Sequence, residues 1–152
     1  MAGKRKAVFV DRDGTLNYDT GYTHKLSDLK IYDDIIPILK EYYDQNYIII
    51  VVTNQSGIGR EYYTVEDMEA FNNKLAEELM KYGVKIEEFF YCPHLPDQGC
   101  KCRKPGTGMI EEAAKKYNID IKDSVVIGDR NSVDGTMARK LGIKFIKVHG
   151  YD

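Results

Sequence analysis

The sequence predicts an α/β fold, a doubly wound and mainly parallel sheet carrying a metal-bound loop. Three observations predict it. Short runs rich in Ile, Val and Phe alternate with stretches of helical periodicity. Several of those runs end in Asp or Thr-Asn, and open sheets bind ligands beyond the carboxyl ends of their strands. Three cysteines and a histidine crowd into residues 92–102.

Taken in order, Ala7–Val10 is an apolar first strand that runs into Asp11. Asn17–Lys30 is polar, contains Gly21 and reads as a loop. Asp33 is placed to cap a helix from about Asp34 to Asp44, with Pro37 tolerated near its first turn. Tyr47–Val52 is almost wholly apolar, as a strand covered on both faces should be. Thr64, with Asp67 three residues on, starts a second helix. Its core stripe is Met68, Phe71, Leu75, Leu79 and Tyr82, and Gly83 is the stop. Glu88–Tyr91 is a weak third strand, and Thr107–Tyr117 is a helix closed by Asn118. Ser124–Ile127, a helix over Asp134–Leu141 ending at Gly142, and Ile143–Val148 complete the alternation. Alternation of this kind implies right-handed crossovers between parallel strands.

The 152 residues suit one domain spanning 1–152, with the cysteine loop at 92–102. Charged residues make up 30% of the chain and the net charge is −2, which argues against a nucleic-acid partner. No apolar run reaches membrane-spanning length, and Met1–Lys6 is too short to be a signal peptide. The expectation is a cytoplasmic monomer acting on a small phosphorylated metabolite.

Asp11 and Asp13 stand two residues apart at a strand end, followed by Gly14 and Thr15. Carboxylates so close repel unless a cation lies between them. Mg²⁺ suits them, because it takes one or two carboxylates, waters and a substrate phosphate. Such an aspartate can attack phosphorus. Thr53, Asn54, Lys104 and Asp129 lie at or near other strand ends, so a parallel sheet can gather them at one rim. Asp13 is then the general acid and base, Thr53 and Asn54 donate to phosphoryl oxygens, and Lys104 neutralises charge. Asp129 completes the magnesium site with Asp11 and the Asp13 backbone carbonyl.

Residues 92–102 read C-x-H-x5-C-x-C: Cys92, His94, Cys100 and Cys102. Three thiolates and one imidazole are a complete tetrahedral zinc set with no open position, so this zinc is expected to be structural. Arg103 and Lys104 follow the last ligand directly, so zinc loss should displace the lysine.

Asp11-Arg12-Asp13-Gly14-Thr15-Leu16 resembles the D-x-D-G-T signature of haloacid-dehalogenase-like phosphatases. The resemblance implies a Rossmann-like core, an aspartyl-phosphate mechanism, and the roles given above at the matching positions. About 33 residues separate Gly14 from the second strand, so no separate cap domain fits there. Cys92-Pro93-His94 and Cys100-Lys101-Cys102-Arg103-Lys104-Pro105 are similar to the zinc-loop subgroup, which holds heptose-bisphosphate phosphatases and histidinol-phosphatases. Gly21–His24 and Thr53–Ile58 look like the former; the short zinc loop and Gly128-Asp129-Arg130 look like the latter. In the heptose reading Asp19, Thr20, Gly21 and Tyr22 line the sugar pocket, Gln55 and Ser56 extend the phosphate loop, and Arg103 and Arg130 meet a second phosphate. Those arginines and the Gly21–His24 match tilt the reading to the heptose substrate. Other readings are phosphoryl transfer to an acceptor other than water, another small-metabolite phosphatase, and an inactive zinc-stabilised interaction module. One departure stands out. The family's second acid falls four residues after Asp129, where this chain has Val133, and Asp134 comes one later. Either the loop holds one extra residue or Asp134 has no part in the metal site.

Overall fold

The computed structural model describes residues 4–150 and 152, so Met1–Gly3 of the basic N-terminal stretch lie outside the described residues. Five strands form one sheet: β1 (Ala7–Val10), β2 (Ile48–Asn54), β3 (Ile86–Cys92), β4 (Val125–Gly128) and β5 (Lys144–Lys147). Their order is β3-β2-β1-β4-β5, and every neighbouring pair is parallel. The helices are α1 (Ile35–Asp44), α2 (Ser56–Gly59), α3 (Val65–Met80), α4 (Gly108–Tyr117) and α5 (Thr136–Leu141).

Strand side chains alternate between two apolar layers. Val8, Val10, Ile49 and Val51 pack with Ile35 and Leu39 of α1 and Phe71, Leu75 and Leu79 of α3. Phe9, Ile50 and Val52 pack with Met109, Ile110 and Ala113 of α4 and Met137 and Ala138 of α5. Both faces are therefore covered, which is why β1 and β2 read as unbroken apolar runs. β1 lies between β2 and β4, so the chain reverses its winding direction there. That reversal opens a crevice at the carboxyl ends of β1 and β4.

Several boundaries differ from the sequence reading. β3 is seven residues long, because it is an edge strand whose Glu87 and Glu88 stay half-buried beside its apolar positions. Tyr82 lies beyond α3 and is 56% exposed, so it leaves the core stripe that Met68, Phe71, Leu75 and Leu79 form. Thr64 does cap α3, in a reciprocal box with Asp67. Asn118 and Gly142 end α4 and α5 in left-handed conformations. The helix expected over Asp134–Leu141 begins as a π-helical turn, Asn131–Gly135, and becomes regular only at Thr136. No described helix is long and apolar enough to cross a membrane.

Candidate active site

Asp11 follows β1 directly, and its backbone N–H donates to the Ile127 carbonyl of β4. Its side chain therefore enters the crevice between the two strands. Lys104 Nζ donates to Asp11 Oδ1 and to Asp134 Oδ1, both at 2.8 Å, and is buried. Carboxylate oxygens of Asp11, Asp129 and Asp134 all lie within 4.8 Å of one another. Burial pushes the Asp11 carboxyl well above the usual range, Asp134 and Asp129 push it further, and Lys104 opposes them. Burial alone would depress Lys104, but Asp11 and Asp134 outweigh it and hold the ammonium above its ordinary value. Three acids against one lysine leave an excess of negative charge, and a divalent cation is the complement that cluster lacks.

Asp134 reaches this cluster through the π-helical turn. A π turn takes one more residue than an α turn. The extra residue after Asp129 is absorbed there, and the carboxylate comes back to the β4 end. Two glycines make the room. A Cβ on Gly14, at φ +86°, would meet Asp129 Oδ2 at 2.3 Å, and one on Gly128 would meet Asp134 Cγ at 2.4 Å.

Asp13 sits in a different environment. Oδ1 accepts from Arg12 Nε at 2.9 Å and Asn17 Nδ2 at 3.0 Å. Oδ2 accepts from Arg12 Nη2 and Gln55 Nε2, both at 3.1 Å. Gln55 also donates to Thr53 Oγ1 at 2.9 Å, and Tyr63 donates its hydroxyl hydrogen to Gln55 Oε1. Asn54 and Lys104 bond reciprocally: Lys104 N donates to Asn54 Oδ1 at 2.9 Å, and Asn54 Nδ2 donates to the Lys104 carbonyl at 3.2 Å.

These groups open into a pocket of about 350 Å³. It is lined by Asp11, Asp13, Asp19, Gly21, Tyr22, Thr53, Asn54, Gln55, Ser56, Arg103, Lys104, Asp129 and Arg130, all residues that the sequence singled out, and by Asp134. Thr20 is the exception. Its N–H donates to Thr23 Oγ1 inside the loop's own turn, so it braces the wall and does not line the pocket. Sequence reasoning missed Tyr63 and Val133 as lining residues, and the buried Arg12 behind Asp13. Arg103 Nη1 is buried with no hydrogen-bond partner among the described residues. A larger cavity of about 650 Å³ lies at the opposite end of the sheet, between Lys6, Ile48 and Lys85, and Glu87 is its single carboxylate.

Cys92 ends β3, and the metal-ligating atoms of Cys92, His94, Cys100 and Cys102 all lie within 4.8 Å of one another. Cys92 Sγ is 3.5 Å from Cys100 Sγ and 3.4 Å from His94 Nδ1, and His94 Nδ1 is 3.2 Å from Cys102 Sγ. Ligands around tetrahedral zinc sit about 3.5–3.8 Å apart, so these spacings fit that ion. Cys92 to Cys102, at 2.7 Å, is tighter and has to open around it. Burial raises the Cys92 and Cys102 thiols. Cys100 is barely buried, and hydrogen bonds from the Arg103 backbone and its neighbours outweigh desolvation and bring it down to about 6. Gln55 N donates to the Cys92 carbonyl at 2.7 Å and Gly59 N to the Pro93 carbonyl at 3.1 Å. The cluster thus abuts the segment that follows Thr53 and Asn54 at the end of β2.

Sheet order and crevice together are those of the haloacid-dehalogenase-like phosphatases. A crystal structure of D,D-heptose 1.7-bisphosphate phosphatase from B. bronchiseptica, complexed with magnesium and phosphate, is similar with a TM-score of 0.84 and 28% identity over 92% of this chain and 78% of that one. Within that class, residues 6–147 match the family model described as Polynucleotide kinase 3 phosphatase, and the chain belongs to that family. A relative from Thermoplasma acidophilum, named a probable D-glycero-D-manno-heptose-1,7-bisphosphate 7-phosphatase, is 54% identical over 92% of this chain and 88% of its own. The D-glycero-beta-D-manno-heptose-1,7-bisphosphate 7-phosphatase of Haemophilus ducreyi is 40% identical over 92% of this chain and 80% of its own. An alpha-anomer counterpart from Photorhabdus laumondii is 43% identical over 85% and 74%.

Proposed function

We propose that the protein is a Mg²⁺-dependent phosphomonoesterase that removes the 7-phosphate of D-glycero-D-manno-heptose 1,7-bisphosphate through an aspartyl-phosphate. Asp11, Asp129, Asp134 and the Asp13 backbone carbonyl would hold the magnesium, which neutralises the phosphate and orients it for in-line attack. The Asp11 carboxylate bonds to phosphorus as the bond from phosphorus to the sugar oxygen breaks. Protonated Asp13 gives its proton to that oxygen. A water then attacks the phosphorus and yields its proton to Asp13, the bond to Asp11 breaks, and phosphate leaves. Lys104 balances charge on Asp11 and the phosphoryl oxygens, and Thr53 and Asn54 present donors to them.

One observation carries the substrate. The Arg103 Nη1 donor is buried, unpaired among the described residues, and part of the pocket lining, with Arg130 also on that lining. A buried donor left open costs about 1–3 kcal/mol, and an anionic ligand that remains after cleavage would satisfy it. The second phosphate of a bisphosphate has that chemistry, whereas the ammonium of histidinol phosphate does not. The names of the relatives support the same substrate. Zinc at Cys92, His94, Cys100 and Cys102 is proposed as structural, because its four protein ligands leave no open position. The protein is read as a monomer of the cytoplasm, a compartment that metal-bound thiols suit. Phosphate release from both heptose bisphosphate anomers and from histidinol phosphate tests the reading. A kcat/KM preference for a bisphosphate is expected, and a preference for histidinol phosphate would overturn it.

A further inference from the structure

Arg12 occupies the variable place of the Asp11–Gly14 motif, yet its side chain is wholly buried. A buried cation costs several kcal/mol unless it is paired and hydrogen-bonded, and an apolar residue at this position could pack on Phe71 at lower cost. The guanidinium does lie over the Phe71 ring, 4.4 Å from its centroid. All three of its nitrogens are hydrogen-bonded. Nε and Nη2 grip the two oxygens of Asp13 as a fork, Nη1 donates to Asn72 Oδ1 at 3.0 Å, and Nη2 also donates to the Thr23 carbonyl. α3 and the 19–24 loop thus hold the far side of the fork, and its near side meets a carboxylate that faces the pocket.

The other two donors on Asp13 are single amides, from Asn17 and Gln55. Each amide gives Asp13 one bond from a group that is also tied elsewhere, Gln55 Nε2 to Thr53 Oγ1 and Asn17 Nδ2 to the Tyr18 carbonyl. A guanidinium has no acceptor and offers a fixed planar fork. Rotation of an aspartate carboxyl about its last bond is soft. Among these partners, only the Arg12 fork fixes the plane of the Asp13 carboxyl from behind while leaving its front edge to the pocket.

We propose that Arg12 is a positioning residue for proton transfer, aiming the Asp13 carboxyl at the leaving oxygen. This rests on the reading of Asp13 as general acid. Positioning matters most when the leaving group is a poor one, since an alkoxide needs the proton and a nitrophenolate largely does not.

The test compares kcat/KM for heptose bisphosphate and p-nitrophenyl phosphate in the wild type, Arg12→Lys, Asp13→Asn and the double variant. This parameter reports steps up to leaving-group departure, so the later hydrolysis of the aspartyl-phosphate does not enter it. Arg12→Lys keeps the charge and loses the fork. It is expected to slow the sugar ester about tenfold more than the nitrophenyl ester, and to add no selective loss on top of Asp13→Asn. Equal slowing of both esters by Arg12→Lys, or a selective loss additive with Asp13→Asn, overturns the proposal. Equal slowing by Asp13→Asn alone instead removes the acid role from Asp13, a separate failure that withdraws the proposal's basis. If Arg12→Lys does not fold, Asn72→Ala loosens the same guanidinium from α3. A smaller loss, again selective for the sugar ester, is then expected, and a non-selective one overturns the proposal.

Discussion

Two clusters of metal-ligating side chains lie close together in this molecule and are built in opposite ways. The acidic cluster draws Asp11, Asp129 and Asp134 from two strand ends far apart in sequence, adds Lys104 from a third segment, and opens into a pocket. The cysteine cluster draws all four ligands from residues 92–102 and presents no free position. A site built from distant segments exists only once the sheet has formed, and its like charges sit together at a cost to the fold. A site built from one loop can order that loop by binding its ion. In the proposed reading the first arrangement serves chemistry and the second serves stability. Asn54 and Lys104 join them, through the reciprocal bonds between the Asn54 side-chain amide and the Lys104 backbone that tie the end of β2 to the residue two after Cys102.

The sharpest way to break this contrast is Asp11→Asn. The amide is nearly isosteric and cannot attack phosphorus, so turnover should fall at least about a thousandfold while the melting temperature holds. Turnover near the wild-type level would sink the aspartyl-phosphate proposal. Cys100→Ser should do the reverse first: bound zinc, measured by elemental analysis, should be lost and the melting temperature should drop by several degrees. Turnover should follow it down, because Lys104 loses its anchor. Unchanged zinc content would remove Cys100 from the ligand set. Asn54→Ala cuts the joint itself and removes a phosphoryl donor as well, so a loss of at least about tenfold in kcat with zinc retained is expected. Full activity would show that Lys104 is held by other contacts. Gln98→Ala removes an exposed acceptor for the Leu95 N–H at the loop tip. It should change stability by no more than about 0.5 kcal/mol and leave turnover alone, and a larger shift would mean that the loop relies on more than its ion.

Much of this contrast was legible beforehand, for physical reasons. β1 and β2 are buried on both faces, so their composition alone marks them. The cysteine ligands are local, so their spacing is their geometry. Asp11, Asp129 and Lys104 could be placed because each follows a strand end or the metal loop, and a parallel sheet brings such ends to one rim. Arg12 was not legible, because its burial depends on Phe71 and Asn72 of α3 and Thr23 of the 19–24 loop converging on it from two distant segments. Tyr63 was hidden likewise: it lines the pocket and bonds Gln55 from the turn between α2 and α3, where no strand end or motif marks it. Thr20 lies off the pocket lining although its neighbours form it, because its N–H is spent on Thr23 Oγ1 within an exposed turn. Asp134 was ambiguous because spacing counts residues, and a π turn changes how many residues a turn takes.

That π-helical turn has a consequence for how such chains diverge. A widened turn lets an insertion pass through a helix start without moving what lies on either side. Asp129 stays at the end of β4, and Met137 and Ala138 stay buried against the sheet. The segment is a slack point where sequence length can drift while the carboxylates keep their stations.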